Sequence, residues 1–99
     1  MTAYVIADVK VSDPDKYKGY MALSPEAVRS AGGEFVVRGG AHQVLEGKWQ
    51  PNRLVVLKFP SYAQAQAFYD SALYRQAREA RAGATEFFNM VVVQGADEQ

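Results

Sequence analysis

Residues 53–74 constrain the fold most. They read Arg-Leu-Val-Val-Leu-Lys-Phe, then Pro60-Ser61, then a run from Tyr62 to Tyr74 with Ala65, Phe68, Tyr69 and Ala72 at helical spacing. The first part has the β-branched and aliphatic composition of a buried strand. Pro60 cannot donate to a sheet ladder, so the strand ends beside it. Ser61 can accept from a free backbone N–H of the following turn as a helix N-cap. A strand therefore runs directly into a helix that must fold back over the sheet.

The flanking chain extends this pattern. Residues 3–11 alternate Val5, Ala7, Val9 and Val11 on one face with Tyr4, Ile6, Asp8 and Lys10 on the other. Asp13-Pro14-Asp15 is a helix start, with Asp13 as N-cap and Pro14 in the first turn. Tyr17, Tyr20, Met21, Val28 and Ala31 form its apolar stripe; Ser24-Pro25-Glu26 predicts a break or kink, and Gly32-Gly33 the end, with one glycine at positive φ. Residues 34–38 form a second strand, interrupted by Gly39-Gly40. A short extended piece is expected at 42–46 and a turn at 47–52. The second helix pauses near Ser71, resumes over 74–82 and stops at Gly83, and 86–94 is the last strand.

The order β-α-β-β-α-β predicts an α+β, ferredoxin-like domain over residues 1–95: a four-stranded antiparallel sheet with both helices on one face. Residues 96–99 are expected to be a frayed tail. The face turned away from the helices would carry Tyr4, Ile6, Val36, Leu54, Val56, Phe87 and Val91, more apolar surface than a monomer usually exposes. A homodimer stacked sheet to sheet is the expected solution.

Charge and cysteine content narrow the function. Eleven basic and eleven acidic residues give no net charge, which argues against nucleic acid or an anionic membrane as partner. The absence of cysteine excludes disulfides and thiolate chemistry. No signal-peptide pattern and no apolar run of roughly 20 residues is present, so a soluble, cytoplasmic protein is expected. No phosphate loop or dinucleotide fingerprint occurs, His42 is the one histidine, and no cofactor or metal is expected.

The spacing of Tyr20, Gly32-Gly33, Arg38-Gly39-Gly40, Leu45-Glu46-Gly47, Arg53, Phe59-Pro60-Ser61, Tyr69-Asp70-Ser71, Tyr74 and Arg78 resembles a bacterial family, domain of unknown function 1330, in the dimeric α/β-barrel superfamily. The resemblance covers nearly the whole chain. It implies the fold and the dimer but no activity. The wider superfamily includes cofactor-independent monooxygenases, lactone isomerases and haem-degrading enzymes, none of whose catalytic residues carries over. Two positions depart from the family pattern: Lys58 stands where an acidic residue is common, and Ser71-Ala72-Leu73-Tyr74 replaces Ser-Pro-Glu-Tyr.

Arg38 and Glu46 are the candidate catalytic pair. Alternation puts Arg38 on the face opposite Phe35 and Val37, away from the helices, and the Gly39-Gly40 bend lets Glu46 approach it. Either the two form an ion pair that fixes the connection between strands, or Arg38 orients an anionic or carbonyl ligand while Glu46 positions or deprotonates it. Tyr20, Asp8, Tyr74 and Arg78 are the candidate pocket residues. Two classes stay open: a cofactor-independent small-molecule enzyme with a cavity in each subunit, and a non-catalytic binding or structural module.

Overall fold

The computed structural model describes residues 2–96 of the 99. The elements are β1 (Ala3–Val11), α1 (Pro14–Ser30), β2 (Glu34–Arg38), β3 (Arg53–Phe59), α2 (Tyr62–Asp70), α3 (Ala72–Ala80) and β4 (Thr85–Gln94). The sheet has the order β2-β3-β1-β4, with every neighbouring pair antiparallel. This is the ferredoxin-like architecture expected from the element order.

The capping residues act as their chemistry requires. Asp13 accepts from the Lys16 amide at the start of α1, and Ser61 accepts from the Gln64 amide at the start of α2. Ser71 divides α2 from α3, because its extended backbone ends the first helix while its hydroxyl accepts from the Tyr74 amide. Gly32, at φ +83°, ends α1. Gly33 has no room for a side chain, since a Cβ there would meet the Phe59 ring at 2.5 Å.

The core lies between the helices and one sheet face. Val5, Ala7 and Val9 of β1, Leu57 and Phe59 of β3, and Phe68 and Tyr74 of the second helical pair are all buried. Phe68 joins Phe59 and Tyr74, with ring centroids 5.1 and 4.3 Å away. Cross-strand partners put Tyr4, Ile6 and Asp8 on the other face with Lys58, Val56 and Leu54, and with Val93, Val91 and Asn89.

Three local expectations change. α1 is continuous through Pro25, with no break there; Pro25 has no N–H to donate to the Met21 carbonyl. Residues 42–46 form no strand; they belong to an arm, residues 39–52, without regular structure. β2 carries a bulge: Phe35 pairs with Leu57, but Val37 pairs with Val56 and Arg38 with Val55. One extra residue therefore turns Arg38 onto the same face as Phe35 and Leu57, toward the helices rather than away from them. The tail expected to fray lies, beyond Ala96, outside the described residues.

Candidate functional site

The bulge brings Arg38 into a cleft between α1 and the helix-side face of the sheet. Arg38 and Arg53 form one wall, Tyr17, Tyr20 and Ser24 of α1 the roof, and Phe88 part of the floor. Arg53 opens β3 opposite Val9, so it shares the inward parity of Val55, Leu57 and Phe59. Its guanidinium packs onto the backbone of Gly39, filling the place a side chain would take there. Gly39 also has φ +72°, so both its conformation and its lack of a side chain are used. The Arg38 guanidinium lies over the Phe35 ring, 4.4 Å from its centroid.

The cleft is cationic and aromatic. Arg81 approaches from the end of α3, 3.7 Å from the Phe88 centroid and 5.3 Å from that of Tyr20. The Nε atoms of Arg53 and Arg81 are buried without a hydrogen-bond partner among the described residues, as is that of Arg78. Among the described residues the ion pairs are Lys10–Glu86 and Lys18–Asp15, both exposed, so none of these arginines is matched by a carboxylate. Tyr20 and Tyr74 share a buried hydrogen bond of 2.7 Å between their hydroxyls. Burial pushes the Tyr20 hydroxyl well above its ordinary range, and the Tyr74 hydroxyl adds to that. Burial likewise raises Tyr17, against the opposing pull of Arg53. The cleft is nearly closed, with a cavity volume of about 20 Å³, room for about one water molecule.

The residues singled out in the sequence do not all meet. Arg38 and Tyr20 line the cleft. Tyr74 lies behind Tyr20, at 1% exposure. Arg78 stacks on Tyr69 at 4.1 Å and lies 6.0 Å from the Tyr74 centroid. Glu46 sits exposed on the arm and makes no ion pair with Arg38. The cause is the β2 bulge, which turns Arg38 to the helix side. Asp8 is on the opposite face of the sheet, where its carboxylate accepts from Trp49 Nε1 at 3.1 Å and from the Asn52 amide at 2.9 Å. These two bonds tie the arm down, and His42 Nε2–H donating to the Pro51 carbonyl braces it further at 3.0 Å. Among the described residues no group of three or more His, Asp or Glu side chains could hold a metal ion.

Sequence reasoning did not single out Arg53, Tyr17 or Ser24 for this cleft. The signal for Arg53 was its even spacing from Val55 and Leu57.

A family model described as a domain of unknown function, DUF1330, matches residues 2–96. The chain belongs to the DUF1330 family. No curated protein matches it. Among solved structures, this DUF1330 chain is similar to a protein of unknown function from Rhodopseudomonas palustris: 20% identity, 95% of this chain and 82% of the other, TM-score 0.71. It is similar to a dimeric ferredoxin-like protein of unknown function from Jannaschia sp. CCS1, at 15% identity, 96% and 100% coverage and TM-score 0.71. A candidate antibiotic biosynthesis monooxygenase from Nitrosomonas europaea is similar at 20% identity, 97% and 99% coverage and TM-score 0.59. At these identities the likeness shows the ferredoxin-like fold. Among the described residues no helix is long and apolar enough to cross a membrane.

Proposed function

We propose that this DUF1330 protein is a homodimer that binds one small anionic organic molecule in the helix-side cleft of each subunit. The observation that carries the binding reading is the pair Arg38 and Arg53, two cations on one cleft wall with no carboxylate matched to them among the described residues. A guanidinium whose Nε is buried without an acceptor gains strongly when a carboxylate or phosphate supplies one. The aromatic roof and floor suit a planar or apolar body attached to that anion. Met21, partly exposed in the lining, is a flexible side chain that can adapt to such a body.

Dimerisation is supported by the other sheet face. Val36, Val37, Val91 and Val93 are exposed there beside Ile6 and Val56, and solved relatives of this fold from Jannaschia sp. CCS1 and Thermobifida fusca are described as dimeric. Stacking two such faces removes them from water. Val56→Asp is expected to split or unfold the dimer, because it buries an unpaired charge. A stable wild-type monomer in light scattering at micromolar concentration contradicts this part.

The enzymatic version, a cofactor-independent monooxygenase or isomerase, draws support from the candidate monooxygenase among the solved relatives. A second reading, a structural module, is favoured by one observation: the cleft is closed down to the room of a water molecule. A thermal-shift screen of small carboxylates and phosphates separates the two, since a ligand of the folded state raises its stability. Shifts that disappear in Arg53→Gln support the binding site; a screen with no shifts supports the module.

A further inference from the structure

The Tyr20–Tyr74 pair has a direction. Two hydroxyls bring two protons, and one hydrogen bond uses only one of them. Tyr74 is sealed at 1% exposure among Phe68, Tyr69 and Arg78. If Tyr20 donated, the Tyr74 proton would be stranded among rings and a cation. If Tyr74 donates, the remaining proton belongs to Tyr20, which lines the cleft and can use it there. The second arrangement leaves neither tyrosine proton stranded.

We infer that Tyr20, held by a hydrogen bond from Tyr74, donates its hydroxyl proton to an oxygen acceptor on the ligand, so that the ligand is a carboxylate that also bears a carbonyl or similar oxygen. This rests on the anion-binding reading above and adds the second functional group. Arg81 lies beside Tyr20 with its Nε unpartnered, so the acceptor oxygen sits next to a cation as well as a hydroxyl. Burial keeps the Tyr20 hydroxyl protonated, so it acts as a donor and not as a base. Arg38 and Arg53 stand on the β2–β3 side of the cleft, and Arg81 lies outside its lining, against the rings of Tyr20 and Phe88, so an oxygen held at Tyr20 is set apart from the carboxylate held by Arg38 and Arg53.

The test is calorimetric titration of the full chain with meta- and para-acetylbenzoate and with the matching ethylbenzoates, which have nearly the same shape without the carbonyl. An acetylbenzoate is expected to bind about tenfold tighter than its ethyl partner, the value of one hydrogen bond. Tyr20→Phe should abolish that preference while leaving carboxylate binding; Tyr74→Phe should retain it. Equal binding of acetyl and ethyl partners by the wild type overturns the inference and leaves the anion site standing. A preference that emerges only in Tyr74→Phe overturns it too, because Tyr20 would then be the donor within the pair. Binding of no benzoate at millimolar concentration overturns both the anion site and this inference.

Discussion

The Arg38 guanidinium stacks on the Phe35 ring, 4.4 Å from its centroid, although the two residues lie an odd number of positions apart in one strand. Regular alternation would put them on opposite faces. The bulge that brings them together also separates Arg38 from Glu46 and joins it to Arg53, Tyr17 and Tyr20. One extra residue thus decides which face of the sheet is cationic.

Arg38→Gln follows from this geometry. The side chain is exposed, takes part in no ion pair among the described residues and stacks on one ring. Its loss should cost about 1 kcal/mol or less in a denaturant melt, the scale of an exposed cation–π contact. A loss of several kcal/mol would mean that Arg38 sits in a buried pair after all.

The strand-to-helix joint was legible in the sequence, because Phe59, Pro60 and Ser61 each signal locally. Phe59 is 1% exposed, and Phe59→Ala should cost about 3–5 kcal/mol. Ser61→Ala should cost about 0.5–2 kcal/mol through loss of the cap on Gln64. Urea titrations of both variants give these differences directly, and two unchanged curves would contradict the packing.

Asp8 holds the arm over the sheet by its bonds from Trp49 and Asn52. Asp8→Ala should release the arm at a cost of about 1–3 kcal/mol, since both bonds are charge-assisted. Trp49 is the chain's one tryptophan, so its fluorescence reports the release. Faster exchange of the Asn52 amide should accompany it. An unchanged emission spectrum together with unchanged exchange would show that the arm is held by other contacts.

The pH dependence on the alkaline side follows from Tyr17 and Tyr20, whose hydroxyls burial raises above the ordinary tyrosine pKa of 10.0. Their neutral forms are favoured in the folded chain, so the unfolded chain binds fewer protons above that value. Their contribution is fully present below pH 10.0 and is lost as pH rises beyond it toward their folded pKa values. Each group steepens the loss by up to about 1.4 kcal/mol per pH unit. Chemical melts at rising alkaline pH should show a shallower fall for Tyr20→Phe than for the wild type; parallel curves would contradict the burial of that hydroxyl.

The topology, the two caps, the division at Ser71 and the faces of β1, β3 and β4 were readable because each rests on local residue chemistry or on strict alternation; the faces of Val37 and Arg38 in β2 were not. The site was less readable. A bulge within Glu34-Phe35-Val36-Val37-Arg38 has no distinct composition, since every residue there suits a regular strand. Arg38 was therefore assigned to the wrong face and paired with Glu46. Asp8 does line a hollow with Ile6, Trp49 and Asn89 on the face away from the helices, but its bonds to the arm were not readable, because Trp49 and Asn52 lie more than forty positions away in a stretch without periodicity. Arg53 could have been found, because it is in step with Val55, Leu57 and Phe59, all inward-facing.

The most direct test of the anion cleft is NMR observation of the arginine Nε–Hε groups during titration with benzoate. The Arg53 signal, from a buried donor without an acceptor among the described residues, is expected to move downfield and saturate, with Arg38 and Tyr20 following and Trp49 unmoved. Shifts confined to Trp49 and the Asp8 face, or an Arg53 signal that stays in place at saturating benzoate, would contradict the account.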